Sequence, residues 1–553
     1  MASQLEPQRV GPGVFAAGFA VWAAAAAVFF RHPLISSFAT VLGDQFDGRM
    51  NLYLHEHLFR ALQGKAQFLS PGIFYPQPHV LGFSDGFLLD TIPYSLVRLT
   101  GIDAFLAFQL VTIALSLVCF AASLVVGVRY LKLRPALAIA AAVLVTFPNN
   151  LYLKAGGHLQ FFALYYIPPI VLLALWGLED FPRVTMRALV RIAAAALLFA
   201  LLFATAYYVA WLFALTLLIA ACAAAILLRR DVVAFTRAHR KPIAIMLAVA
   251  GAAFAVGLVP FALIYGPVLP IVSGRSFWEY RLYAPLPKDM INVGTGNLVW
   301  GWLMERLLSE RGGEFNVAVT PGMTAILLVL ALRLRAQGTQ GAMAWQRLLV
   351  VTCIVVWFMA WVLTVRIGNV SGFRILFQLV PGATAIRVGG RIQLLVNAWV
   401  VVGLTLVLER WLASAPVHLL RGRQLIAAAL VAFCLIEQIG VMNNANMQRA
   451  RDLAILAAVP EPPRDCRAFL IDRPLQNSII DNLGDAADAM WIAHKTGLPT
   501  LNGQSGWFPT GWKLIEPTVD YESAARAWIA QTGLKEQVCL YDRPSRTWTK
   551  FSP

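Results

Sequence analysis

Two aspartates three residues apart, Asp44 and Asp47 in the hexapeptide GDQFDG, follow directly on the first long apolar run of the chain. A carboxylate beside hydrocarbon is costly and is kept there when it pairs, binds a cation or takes part in chemistry. Asp44 and Asp47 are therefore expected to serve as a general base or to share a divalent cation, Mg²⁺ or Mn²⁺ being suited to oxygen ligands. The plainer alternatives are a cap on the following helix for Asp44 and a solvated turn acid for Asp47.

Further polar groups recur in the same kind of segment. Beyond Asp47, the stretch Asn51 to Leu62 repeats apolar residues at Leu54, Leu58 and Leu62, which predicts an amphipathic helix lying on the membrane surface with His55, Glu56 and His57 on or near it. His79, Ser84, Asp85 and Asp90 follow. The short segment NNLYLKAGGHLQ puts His158 and Gln160 at the start of a helix, where their side chains can reach beneath that loop. Gly266 to Thr320 carries Arg275, Trp278, Glu279, Tyr280 and Arg281, a mixture that can line a sugar site or anchor a loop at the interface. Arg366 to Arg391 holds Arg366, Arg374, Arg387 and Arg391 and no acid. Arg387 and Arg391 are four apart, so a helix would place both on one face, and guanidinium forks fit phosphate oxygens. Contact with ordinary lipid phosphates is the competing reading.

The elements that must position these groups are apolar. With 59% hydrophobic and 13% charged residues and a mean hydropathy of +0.67, the chain is excluded from the soluble class. About eleven runs suffice to cross a bilayer of roughly 30 Å. They fall near 14–30, 104–127, 136–148, 161–177, 189–204, 207–228, 243–264, 321–333, 348–365, 393–409 and 424–441. The first run is taken as an anchor: Arg9 precedes it and no small-residue cleavage site follows. Placing the N-terminus in the cytoplasm puts Arg129, Lys132 and Arg134 there. The same holds for the 229–241 cluster, for Arg333, Arg335 and Arg347, and for Arg410, Arg421 and Arg423. The C-terminus is then outside.

From Asn443 onward charge is balanced, 12 Lys and Arg against 12 Asp and Glu, so the net +16 lies in the membrane region. That excess is explained by basic loops and anionic membrane lipids; scattered among spans, it does not indicate nucleic acid. The tail alternates strand-like AFLID and QVCLYD with helix-like DAADAMWIAHKTG and YESAARAWIAQTG, predicting a small α/β domain. Cys466 and Cys539, beside those strands, are expected to form a disulfide if the tail lies in an oxidising compartment. Pro499 to Trp512, rich in Gly, Pro and aromatics, reads as an ordered loop that packs on the membrane domain or stacks on a sugar. No glycine-rich phosphate cradle or zinc spacing occurs, so no nucleotide cofactor is expected.

An acidic motif just after the first span, a long first external loop with surface helices, many spans and an external C-terminal domain resemble the polytopic GT-C glycosyltransferases. Tyr75, Pro76, Ser84 and Asp85 also match a YP…SD stretch of YfhO-type bacterial membrane proteins. The resemblance implies an all-α polytopic membrane bundle over 1–442, with a large first external loop at 31–103, and a periplasmic α/β domain over 443–553. It implies sugar transfer from a polyprenyl-phosphate donor to a glycan or lipid-linked glycan at the periplasmic face of a bacterial inner membrane. Asp44 and Asp47 take the catalytic position. Arg387 and Arg391 are assigned to donor phosphate, and His55, Glu56, Ser84, Asp85, His158, Gln160, Arg275 and Arg281 to substrate. No sequon-recognition motif is present, so a protein acceptor is not implied. Two other classes use the same groups: a transporter or flippase for lipid-linked saccharides, and a non-catalytic partner in envelope-polysaccharide assembly. Internal repeats of the transporter type are not evident.

Overall fold

Apolar runs close into helices because hydrocarbon leaves each backbone N–H and C=O only the partner its own helix provides. The computed structural model describes residues 10–272, 274–336, 344–472 and 478–551. Among these, ten helices are long and apolar enough to cross a membrane: Pro12–Phe29, Ala104–Tyr130, Pro135–Lys154, Leu159–Leu178, Met186–Phe203, Tyr207–Leu227, Arg240–Val268, Trp345–Thr364, Gly389–Ala413 and Val417–Ile436. The run expected at 321–333 forms a shorter apolar helix, Pro321–Ala336, of about 24 Å. Its first turn donates from Gly322 and Met323 to Glu437 (3.0 and 2.7 Å), and in the following helix, Ala344–Thr364, Gln346 reaches the Leu131 carbonyl (3.4 Å). Pro135–Lys154 and Gly389–Ala413 are the central helices, each with 78% of its apolar window buried; Arg240–Val268, at 11%, is peripheral.

The basic loops gather at one end. Arg129 pairs with Glu179 (2.7 Å), Arg134 with Glu409 (2.9 Å), and Phe181 packs on Phe235 and His239. The other end carries the first long loop, residues 149–160, 266–320 and 366–391, and the tail.

One expectation is corrected here. The helix over Asp47–Leu62 does not lie on a membrane surface: every residue from Gly48 to Phe59 is buried, between helices Leu88–Arg98 and Ala104–Val125 and the tail helix Ile479–Thr496. Its polar positions have partners rather than solvent. Arg49 bonds Asp488 (2.6 Å) and Glu56 is clasped by Arg98 (2.7 and 2.8 Å).

In the tail, Ala468–Ile471 pairs in parallel with Val538–Asp542, which pairs antiparallel with Thr547–Phe551. Helices Ile479–Thr496 and Tyr521–Thr532 lie between the parallel strands in sequence. Both have side-chain N-caps, Ser478 and Asp520, and both end on a left-handed glycine, Gly497 and Gly533. Cys466 and Cys539 are bonded to each other. The tail is stitched to the acidic turn by backbone bonds, Gly43 N to Asn444 O (3.0 Å) and Asn446 N to Gly43 O (2.8 Å).

Candidate functional site

The acidic turn starts on a constrained glycine. Gly43 has φ +113°, and a Cβ there would lie 2.9 Å from the Met447 methyl. Asp44 comes next and does two things. Its Oδ1 accepts from the amides of Phe46 (3.0 Å) and Gly48 (2.8 Å), fastening the start of the Asp47–Leu62 helix much as the capping alternative predicts. Its Oδ2 lies against Gly157, where a Cβ would come within 2.7 Å of it. Burial pushes the Asp44 carboxyl up to about 6, with the nearby charge of Asp47 adding and the Gly48 and Phe46 amides opposing.

Asp47 faces open space. Its Oδ1 accepts from Gln504 Nε2 of the tail (2.7 Å), its Oδ2 lies 3.6 Å from His158 Nδ1, and its side chain is 40% exposed. That space is a cavity of about 800 Å³ at the loop-bearing end of the bundle. Of the residues singled out in the sequence, the cavity brings together Asp47, Ser84, Asp85, His158, Gln160, Arg275, Arg387 and Arg391. Phe261, Tyr265, Val268, Leu269 and Val272 supply an apolar wall. Most of that wall belongs to the peripheral Arg240–Val268 helix, so it separates the cavity from the outside of the bundle by a single layer.

Behind Asp47 lies an ionic chain. His158 Nε2 is 3.0 Å from Glu314 Oε1 and 3.0 Å from Arg391 Nη2; Arg391 in turn donates to both Glu314 oxygens (3.1 and 2.6 Å). Lys154 Nζ lies 3.6 Å from the same carboxylate. Burial alone would raise the Glu314 carboxyl, but Arg391, His158 and Lys154 hold it well below the usual range. Burial, then Arg391, lowers His158, so its imidazole is neutral at pH 7. A neutral ring flanked by Asp47 and Glu314 has one N–H and one lone pair to distribute, and so can orient either acid.

The two arginines differ. They do not share a helix face as the spacing predicts, because Gly389–Ile392 is a 3₁₀ turn and the α-helix begins at Gln393. Arg391 is buried and neutralised by Glu314, an acid from another segment; that is the compensation the acid-free stretch required. Arg387 lies over the Tyr283 ring at 4.7 Å, its amide donates to the Tyr208 hydroxyl (2.6 Å), and among the described residues no carboxylate is within ion-pair distance. It is the cavity's uncompensated guanidinium.

Asp85 is half-buried and its Oδ1 accepts from the Tyr207 amide (2.8 Å), capping the span that starts there; desolvation pushes it up to about 6, with that amide and Arg391 opposing. The Ser84 carbonyl accepts from Tyr265 (3.1 Å), and Gln160 Oε1 from Asn51 Nδ2 (3.1 Å). Arg275 is committed to the tail: Nη2 donates to Gly506 O (2.9 Å) and the guanidinium lies 4.2 Å over Trp507.

His55, Glu56 and Arg281 are not brought to the cavity. His55 Nδ1 is 2.8 Å from its own helix's Asn51 carbonyl, and its ring packs among Phe87, Tyr94 and Phe108. Glu56 is consumed by Arg98 and Tyr94, and Arg281 binds Asn369. One Asp44 oxygen already accepts two amides, Asp47 Oδ1 is taken by Gln504, and among the described residues no group of three or more His, Cys, Asp or Glu is arranged so that it could hold a metal ion. Sequence reasoning missed Glu314, Tyr208, Gln504 and Ser505. Only Glu314 left a signal, since four arginines needed an acid, yet Glu279, Asp289, Glu305 and Glu310 share its loop.

No protein-family model matches the chain, and no curated protein matches it.

Proposed function

We propose that this chain is a GT-C-like membrane glycosyltransferase that moves a sugar from a polyprenyl-phosphate donor to a glycan or lipid-linked glycan acceptor. One observation carries the reading. A single cavity joins a partly exposed carboxylate held by Gln504 and 3.6 Å from the His158 imidazole, an uncompensated guanidinium, and an apolar wall one helix thick. Those are the three needs of the reaction: a base for the acceptor hydroxyl, a cation for the leaving phosphate, and a passage for a lipid chain.

In this reading Asp47, rather than Asp44, is the base. The acceptor oxygen attacks the anomeric carbon, its proton passes to Asp47, and the carbon–oxygen bond to phosphate breaks with the electron pair leaving on polyprenyl phosphate. Arg387 meets the charge on that phosphate. Gln504 orients Asp47, and His158, fixed by Glu314 and Arg391, lies beside it. No step is routed through a metal. The basic loops at the opposite end support a cytoplasmic placement for that end and a periplasmic one for the cavity, in an inner membrane.

The test is release of free polyprenyl phosphate from a panel of polyprenyl-phosphate sugars by the lipid-reconstituted protein, with cell-envelope glycolipids as acceptors. Wild type is expected to release it and Asp47→Asn to lose about 10²-fold or more of the rate, the size of a missing general base. Movement of lipid-linked sugar between leaflets without release would instead make the protein a flippase.

A further inference from the structure

The tail loop enters the cavity with two oxygens that lack partners. Gln504 is 2% exposed and its Nε2 is spent on Asp47, while its Oε1 has no hydrogen-bond partner among the described residues; the buried Oγ of the adjacent Ser505 has none either. Both residues line the cavity. Orphaned buried acceptors are uncommon, because burying one without a partner costs free energy that a bound ligand's donor recovers.

The loop that presents them is rigid. Phe74 N donates to Asn502 O (3.0 Å), Trp512 Nε1 to Leu501 O (2.9 Å), and Trp507 N to Phe83 O (3.1 Å). Gly503 lies so close to the Phe74 ring that a Cβ would meet it at 2.6 Å. Gln504 and Ser505 are therefore held between fixed points on either side, as a recognition site requires.

Their chemistry selects the ligand. Gln504 Oε1 accepts only, Asp47 Oδ2 accepts only, and Ser505 Oγ can do either. An acceptor-rich cluster repels the anionic oxygens of a phosphate and suits a group bearing several hydroxyls. We propose that Gln504 and Ser505 form a saccharide subsite in which the tail reads hydroxyls of the acceptor sugar next to Asp47. The proposal rests on the glycosyl-transfer reading for the identity of the sugar as acceptor. It makes the tail part of the site rather than an appendage.

The experiment uses the full-length protein in nanodiscs and saturation-transfer NMR with methyl glycosides of hexoses and pentoses and their single-deoxy analogues. At least one glycoside is expected to bind saturably, and loss of one hydroxyl to weaken it about fivefold, the usual worth of one hydrogen bond. That penalty should disappear in Ser505→Ala, and loss of a second hydroxyl should become neutral in Gln504→Leu. A purely structural role for either residue would leave the penalties in place. Ser505→Ala removes an oxygen that no protein group uses, so it keeps the test sound if Gln504→Leu disturbs Asp47. Absence of saturable binding, or penalties unchanged in both variants, overturns the subsite. Polyprenyl phosphate release is a separate measurement. Coupling without release would leave the subsite standing and remove the transfer reading, and release without coupling would do the reverse.

Discussion

Arg391 donates through Nε and Nη2 to the two carboxylate oxygens of Glu314, 77 residues away in sequence, at 3.1 and 2.6 Å. Arg391 is buried, Glu314 is mostly so at 18% exposed, and a second cation, Lys154, depends on the same acid. Removing one member of such a set strands charge in a low dielectric, so Glu314→Gln is expected to lower stability by about 3 kcal/mol or more. Arg391→Gln in the same chain should return part of that loss, because it removes one of the two stranded cations. Denaturation of the single and double variants in one lipid system reads the coupling. Additive effects would show that the pair is not a unit.

Asp44 supplies a pH signature. Its carboxyl rises from the ordinary 3.8 to about 6 in the folded chain, so folding favours the protonated form, and the stability it contributes is lost as pH rises from about 4 to 6. Asp44→Asn keeps an Oδ1 for the amides of Phe46 and Gly48 and carries no charge. The variant should melt higher than wild type at pH 7 to 8, and the gap should close as pH falls toward 4. A gap that widens toward acid would mean that the charge on Asp44 is stabilised by the fold.

Arg387 and Arg391 make opposite predictions although the sequence pairs them. Arg387 has no acid to offset it and lines the cavity, so Arg387→Gln is expected to raise the Michaelis constant for a lipid-linked donor about tenfold, the loss of one charge-assisted contact. Stability should barely change. Arg391→Gln should instead lower stability through Glu314. Equal effects of the two variants on donor affinity would contradict the separation.

Much of this arrangement was legible in composition and periodicity, and the rest depended on long-range packing. Ten of the expected runs became helices long and apolar enough to cross a membrane, since length and apolarity decide that locally. The strands at Ala468–Ile471 and Val538–Asp542 fall where the β-like runs are. The Asp47–Leu62 helix was predicted as a helix but placed on the wrong surface, because a polar face reads the same whether water or a partner's ions satisfy it. Arg49, Glu56 and their partners Asp488 and Arg98 are far apart in sequence. Gln504 and Ser505 carried no periodic or motif signal, and their role appears only when the loop is seen against Asp47.

The bond between Cys466 and Cys539 turns sidedness into a chemical measurement. It joins the residues just before strand Ala468–Ile471 to the neighbouring strand Val538–Asp542 and closes a loop of 73 residues, so in the chain-entropy picture it is worth about 4 kcal/mol to the tail. Such a bond persists in an oxidising compartment and not in a reducing one. The test begins by replacing Cys119, Cys222, Cys353 and Cys434, the thiols outside the tail, with Ala. A membrane-impermeant maleimide applied to intact cells should then leave the tail unlabelled. After a membrane-impermeant reductant it should label both tail cysteines, as a periplasmic tail requires. Labelling before reduction would show free thiols outside and remove the disulfide. Both cysteines are buried, so protection that survives the reductant in intact cells but is lost when the cells are permeabilised would place the tail, and with it the cavity, on the cytoplasmic side.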